Sequence, residues 1–142
     1  CRGNIMNRPV LATIAALTLL TASATAQANK AKEPEFEDRP LSSWVLDLKG
    51  LAPQTRNAAA YAISGMGPEA KSAVPALIDA LKDPIAAVRF PVCIALREIG
   101  PDAEAAVPAL TEALDDQNDD VAAMARKALL VITGKDPLAP QQ

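Results

Sequence analysis

The chain contains no histidine, and only two of its 142 residues are cysteine. Structural zinc sites need histidine or several thiolates, and many activated nucleophiles need an adjacent imidazole. The sequence therefore excludes both kinds of site. Carboxylates, lysines, one tyrosine and hydroxyl groups are left as candidate catalytic groups. We expect no enzymatic activity, no cofactor and no metal ion.

Aromatic residues make up only 3% of the chain, although 50% of its residues are hydrophobic. The core must then consist mainly of Ala, Leu, Val and Ile side chains. Such side chains suit closely packed helices, so the composition favours an all-α fold.

Residues 6–26 have the pattern of a secretory signal peptide. A short polar and basic start at Met6 leads into the apolar run VLATIAALTLL, and Ala24 and Ala26 then form an A-x-A cleavage pattern. The run is shorter than the roughly 20 residues that a membrane span needs. We expect cleavage after Ala26 and a periplasmic or secreted protein, with an uncleaved anchor as the alternative. Residues 1–5 are interpreted as upstream translation or a gene-model artefact.

Cleavage after Ala26 would leave 12 basic against 17 acidic residues, a formal charge of −5. Nucleic acids and anionic membrane surfaces favour basic patches. We therefore expect no nucleic acid and, after signal cleavage, no membrane as a partner. Cleavage would also leave Cys93 as the sole cysteine, which excludes an intramolecular disulfide.

Two segments of the chain are nearly copies of each other. GPEAKSAVPALIDALKD begins at Gly67, and GPDAEAAVPALTEALDD begins 33 residues later at Gly100. A fixed period of this length is typical of a solenoid, in which each unit buries its apolar face against a neighbour. We expect a flexible linker at 27–40, a repeat region at 41–134 and a C-terminal tail at 135–142. The three repeats are 41–66, 67–99 and 100–133.

Each unit carries the signals of two helices. The apolar stripe of the first helix in the middle unit consists of Ala70, Val74, Leu77, Ile78 and Leu81, and that of the second helix consists of Val88, Val92, Ala95, Leu96 and Ile99. Gly67 and Gly100 stand where a helix ends and a positive φ is favoured. Trp44 occupies the same position in the first repeat as Leu77 does in the second, so we expect it to be a large core residue.

Three prolines fall within the predicted helices. Pro75 and Pro108 recur at the same phase of the first helix, where each removes a backbone hydrogen bond and predicts a bend. Pro91 lies inside the second helix of the middle unit and has no counterpart. We expect that helix to begin late or to kink.

The stretch GPEAKSAVPALIDALKDPIAAVRFPVCIALREIG resembles a HEAT repeat of the short bacterial type, from the phycobilisome-lyase HEAT-like repeat family. The resemblance extends from about Leu41 to Gly134. It implies a right-handed α-solenoid of about three antiparallel helix pairs, with the second helices lining the concave side. It also implies a binding scaffold or, in a minority of members, a bilin lyase that attaches a pigment to a phycobiliprotein.

The resemblance further implies that the arginine of the V-R motif braces the aspartate between the helices. Arg89 matches this arginine, and Asp83 matches the aspartate. Arg56 also matches the arginine, but without a matching aspartate. Ala122 stands at the same place in the third unit. We therefore expect the brace to be missing there and the last turn to be looser.

Second-helix positions that point away from the apolar stripe would line the concave side. They form a predicted protein-binding patch with an apolar centre and a cationic rim: Asn57, Tyr61, Phe90, Ile94, Arg97 and Lys127. Aromatic and arginine side chains supply most of the energy of protein interfaces. The same register places Ala87 and Asp120 on this face. Alternatively, Phe90 and Ile94 simply pack between neighbouring helices.

Three further features have competing interpretations. The acidic cluster Asp115, Asp116, Asp119 and Asp120 is either a calcium site, although it lacks the EF-hand spacing, or a solvated turn that favours the N-terminus of the next helix. Cys93 is expected to be buried and inert. Leu130 and Val131 in the last helix need cover from the tail, from a partner or from a second copy, so self-association through the C-terminal repeat is one expectation.

These features predict a secreted or periplasmic, non-catalytic scaffold that binds a protein through its concave face. One alternative is an accessory subunit of a bilin lyase, against which the signal peptide counts because pigment attachment is cytoplasmic. Another is a truncated repeat module of a larger exported protein, in line with the residues before Met6.

Overall fold

A computed structural model describes residues 32–140 of the chain. The predicted signal peptide, residues 1–5 and residues 27–31 lie outside the described residues. The described part is mostly helical, which confirms the expectation of an all-α protein.

Short and long helices alternate along the described chain. In chain order, the α-helices are α1 (Leu41–Asp47), α2 (Pro53–Met66), α3 (Val74–Ala80), α4 (Ala86–Ile99), α5 (Val107–Glu112) and α6 (Asp119–Thr133). Segments of 3-10 helix lie between them at Gly67–Ala73, Gly100–Ala106 and Ala113–Asp115. The long helices begin at Pro53, Ala86 and Asp119, so the 33-residue period of the sequence is also a structural period.

The long helices form the centre of the fold, because α4 packs against both α2 and α6. Each short helix packs on the long helix that follows it. The stripe predicted for the second helix of the middle unit is buried in full, and Trp44 is buried as expected. No polar or charged residue in the described part of the chain is buried, so packing of aliphatic side chains stabilises the core.

Two glycines end the long helices as the sequence predicts. Gly67 follows α2 with φ 58° and ψ −137°, and Gly100 follows α4 with φ 75° and ψ −143°. Residues with a Cβ rarely adopt this backbone conformation. The chain can therefore turn sharply into the next 3-10 segment only because glycine stands at each position.

The positions of the prolines differ from the expectation. Pro75 and Pro108 do not lie in the interior of one α-helix, because the segment before each is a 3-10 helix and each proline is the second residue of a short α-helix. A proline is tolerated there, since the first turn of a helix lacks intrahelical acceptors for its N–H groups. Pro91 does not delay its helix, because α4 runs from Ala86 through it.

Residues 33–40 are not a flexible linker, and the prediction is wrong for this segment. β1 (Glu35–Phe36) pairs antiparallel with β2 (Arg39–Pro40) to form a short hairpin. The hairpin is anchored on the helices, because Trp44 donates its indole N–H to the Phe36 carbonyl at 3.3 Å. The Arg39 guanidinium also lies 3.8 Å from the centroid of the Trp44 ring. Local contacts of this kind leave no periodic signal in the sequence.

A helix that spans a membrane needs about 20 mostly apolar residues. None of the helices within residues 32–140 combines the necessary length with sufficient hydrophobicity. The longest, α6, carries four charged residues and has 15 residues.

Candidate functional site

Two arginine–aspartate pairs connect successive parts of the helical stack. Arg56 in α2 donates from Nε to Asp83 at 2.6 Å, and Arg89 in α4 donates from Nε to Asp116 at 2.7 Å. A second nitrogen of each guanidinium contacts the other carboxylate oxygen, at 3.1 and 2.7 Å. Bidentate geometry of this kind gives strong, directional hydrogen bonds.

The expected pairing of Arg89 with the Asp83 carboxylate is therefore wrong. Arg89 instead donates to the backbone carbonyl of Asp83 at 2.7 Å while its guanidinium pairs with Asp116. Arg56, which matched the arginine of the motif but not its aspartate, pairs with Asp83. Sequence proximity suggested a brace within one unit, whereas in the fold each arginine reaches the aspartate 27 residues later.

These pairs shift the acidities of their carboxyl groups. Hydrogen bonds from Arg89 lower the pKa of Asp116 below its usual value, against the opposing effect of burial. Burial would raise the pKa of Asp83, but hydrogen bonds from Arg56 and the Ile85 backbone outweigh it, and this pKa is lowered as well. Both aspartates are therefore charged at neutral pH and hold the inter-helix turns in place.

At the C-terminal end a different ion pair replaces the missing brace. Ala122 occupies the position of the arginine, as the sequence shows, and Arg126 pairs with Asp136 of the tail, with Nε at 2.8 Å from a carboxylate oxygen. The tail thus returns to α6 after Gly134. Leu130 and Val131 remain 46% and 47% exposed, and tail residue Leu138 lines the same groove as Leu130.

Three residues of the predicted patch come together in one depression between the long helices. Asn57 and Tyr61 of α2 and Phe90 of α4 line it. The remaining lining residues are Ala86, Ala87, Asn118 and Asp120, and the depression has a volume of about 330 Å³. Tyr61 is 46% exposed, whereas Phe90 is half-buried and also packs against the core. Phe90 therefore also packs partly between the helices, which was the alternative interpretation of its position.

Asn57 has a second role at the edge of this depression. Its side-chain amide donates a hydrogen bond to the backbone carbonyl of Ala87. This carbonyl lies four residues before Pro91, which has no N–H to donate to it. Asn57 therefore satisfies the acceptor that the proline leaves free, and α4 continues without a break.

The predicted cationic rim lies elsewhere. Arg97 donates from Nε to Glu98 at 3.0 Å, and another of its nitrogens contacts the Met124 sulfur at 3.7 Å. Lys127 lines a separate groove beside Leu114 and Leu130, with a volume of about 490 Å³. Ile94 is half-buried and lines neither depression. Of the six predicted residues, Asn57, Tyr61 and Phe90 line one depression and Lys127 lines another.

Asp120 lines the depression as well, although it is not one of the six residues of the predicted patch. Its position in the repeat matches that of Ala87 one period earlier, so the register had placed both residues on the same face. It lies in the first turn of α6, where the helix dipole favours a negative charge.

The other members of the acidic cluster have structural contacts or are exposed. Asp116 binds Arg89 and accepts a hydrogen bond from the Asn118 backbone at 2.9 Å. The Asn118 side chain in turn accepts from the backbone N–H groups of Asp120 and Val121 and caps α6. Within residues 32–140, no group of three or more acidic, cysteine or histidine side chains is arranged to hold a metal ion.

Cys93 lies in α4 and is fully buried, as expected from its position beside the apolar stripe. Burial raises the pKa of its thiol to about 12, with a smaller contribution from Asp116. A thiol is a weak nucleophile when so little of it is ionised. The side chain therefore acts as a small core residue.

Comparison with known proteins adds a family assignment to this geometry. Residues 43–130 match the family described as HEAT repeats. The matched segment covers more than half of the 142-residue chain. No curated protein matches the sequence.

Proposed function

The chain belongs to the HEAT-repeat family, and on this basis we propose that it is a non-catalytic scaffold that binds a protein partner through the face containing Tyr61 and Phe90. HEAT repeats commonly serve as protein-interaction scaffolds, since stacked repeats create extended concave surfaces. The observation that carries the proposal is the depression that these two rings line on neighbouring long helices.

The finer form of the proposal is a right-handed α-solenoid of about three helix pairs, of the phycobilisome-lyase HEAT-like type. In this arrangement α2, α4 and α6 line the concave side. The recurrence of the long helices at 33-residue intervals supports this repeat number.

The absence of catalysis is part of the proposal. The sequence has no histidine, and the thiol of Cys93 is buried with a raised pKa. The carboxylates of Asp83 and Asp116 are held in ion pairs with Arg56 and Arg89. These features support binding as the main activity.

We propose that this protein is periplasmic or secreted. The pattern of residues 6–26 supports export, and the negative charge supports a protein partner in preference to nucleic acid or, after signal cleavage, a membrane.

A capture experiment with matched variants tests the binding face. The full chain is immobilised and exposed to the exported fraction of its own organism, beside Tyr61→Ala, Phe90→Asp and the control Leu51→Ala. Leu51 is fully exposed, so its truncation changes an apolar surface residue outside the depression. A specific partner should be captured by the wild type and the control, and lost with Tyr61→Ala.

Circular dichroism of each variant separates loss of binding from loss of fold. This matters for Phe90→Asp, because Phe90 packs partly against the core. Capture of the same protein in equal amounts by folded Tyr61→Ala and by the wild type would overturn the assignment of this face.

A bilin-lyase accessory subunit is the second candidate, suggested by the finer family resemblance. Bilins carry carboxylate groups and would favour a cationic site. The depression beside Tyr61 instead contains the carboxylate of Asp120, which favours the scaffold. Absorption spectra of the purified chain mixed with a bilin test this candidate, since a bound pigment shifts its visible band.

A second copy of the chain is a further proposed partner, through the C-terminal end. The exposure of Leu130, Val131 and Leu138 at the groove and on the last helix supports this association. Sedimentation of wild type and Leu130→Asp tests it: a dimer should form in the wild type only, and monomers in both samples would refute it.

A further inference from the structure

We propose that the depression between Tyr61 and Phe90 receives a cationic side chain, a lysine or an arginine, of the protein partner. The inference rests on the proposed function and specifies the chemistry of the partner at that site. It also reverses the expectation from the sequence, which placed cations of this chain around the two rings.

The two rings provide one part of such a site. Tyr61 and Phe90 come from adjacent long helices and line the same depression. Tyr61 remains 46% exposed, so part of its ring is available to a ligand. Ammonium and guanidinium groups are attracted to the faces of aromatic rings, and arginine also stacks on them.

Asp120 provides the opposite charge. It lines the same depression, and its backbone N–H is bound by Asn118, which fixes the start of α6 beneath it. Within the described residues, the Asp120 carboxylate makes no ion pair or hydrogen bond. It is therefore available to pair with a cation from another molecule.

None of the cations in the described part of the chain occupies this position. Arg97 is bound to Glu98, and Arg126 is bound to Asp136. Lys127 lines the other groove. The amide of Asn57 is held by the Ala87 carbonyl and does not compete for Asp120.

The charge of Asp120 decides between an apolar and a cationic ligand. An aliphatic side chain placed over the rings would remove water from the carboxylate without replacing its hydrogen bonds, which is unfavourable. A lysine or arginine would contact the rings and pair with the carboxylate at the same time. The volume of about 330 Å³ is at the lower end of the range for ligand sites, which fits one side chain.

Peptide titrations followed by NMR test this proposal on the full chain. Tyr61 is the sole tyrosine of the sequence, so its ring signals report the site directly. The probes are an acetylated and amidated Gly-Gly-Arg-Gly-Gly peptide and the same peptide with norleucine in place of arginine. We expect saturable shifts of the Tyr61 signals with the arginine peptide, weakened by salt, and no saturation with the norleucine peptide.

Two acidic variants separate the specific site from general attraction to an acidic protein. Asp120→Asn and Asp119→Asn remove the same charge from the same helical turn, but Asp120 lines the depression. Binding should weaken about two- to fivefold in Asp120→Asn, the range for a solvent-accessible ion pair, and stay nearly unchanged in Asp119→Asn.

Equal weakening by the two variants, or equal affinity for the two peptides, would overturn the proposal. Such a result would leave the proposed function intact if Tyr61→Ala still abolished capture of the protein partner. Conversely, arginine-peptide binding without a captured partner would support the site and count against the scaffold function.

Discussion

Asn57 lies in one long helix and satisfies a carbonyl that Pro91 leaves without a partner in the next. The Asn57 amide donates to the oxygen of Ala87, which an N–H at position 91 would otherwise reach. A proline inside a helix normally breaks or kinks it, because a backbone hydrogen bond is lost. Here a side chain from the neighbouring helix replaces that bond, so the two residues depend on each other although they are 34 positions apart.

Asn57→Ala should lower the free energy of unfolding by about 0.5–1.5 kcal/mol, the usual contribution of one hydrogen bond. In a Pro91→Ala background the N–H at position 91 can bond to Ala87, so the same substitution should cost less. Urea unfolding of the two single variants and the double variant measures this coupling. Equal costs in both backgrounds would show that Asn57 does not compensate for the proline.

Asp116→Asn should destabilise the protein at neutral pH and progressively less in acid. Because Arg89 lowers the folded-state pKa of Asp116, the ion pair contributes its full stability above the unfolded pKa, about 3.9, and loses it as the pH falls through the folded pKa. Urea unfolding at several pH values between about 7 and 2 measures the difference from wild type. Asp115→Asn is the control, because Asp115 is an exposed neighbour that forms no ion pair within residues 32–140.

Gly65→Ala should fail to stabilise α2, although alanine is favoured over glycine by about 0.5–1 kcal/mol within a helix. A Cβ at this position would lie 2.6 Å from Cε2 of Phe36, so the hairpin would have to move. In a Phe36→Ala background the same change should recover the usual gain. Thermal unfolding of the four proteins gives the comparison, and an equal gain in both backgrounds would contradict the contact.

Cys93 should react with a thiol reagent only when the protein unfolds. Its side chain is fully buried, and its pKa of about 12 leaves little thiolate at pH 8. Labelling of a Cys1→Ser variant with and without urea measures this accessibility. Rapid labelling of the folded protein would place the thiol near the surface.

The period of the sequence predicted most of the core. Leu96, Ile99 and Trp44 are buried as expected, because a repeated apolar stripe specifies both the face of each helix and the neighbour that covers it. The hairpin at Phe36 escaped prediction, since it consists of two-residue strands whose turn places Glu37 and Asp38 at positive φ. Short turns of this kind depend on tertiary contacts more than on a pattern.

The candidate site was predicted only in part. The register grouped Asn57, Tyr61 and Phe90, which line one depression in the fold, because residues one helical turn or one period apart share a face. It could not show that Asp120 lies beside the rings while Lys127 does not, since this depends on how far α6 is displaced along α4. The partner of Arg89 was wrong for a similar reason: the sequence does not say which of two similar turns the side chain reaches.

Both arginine–aspartate pairs run in the same direction along the chain. In each pair the arginine precedes its acceptor by 27 residues. Since a ribosome makes the N-terminus first, each guanidinium is synthesised before the carboxylate that binds it. In these two pairs a later turn therefore holds an earlier helix.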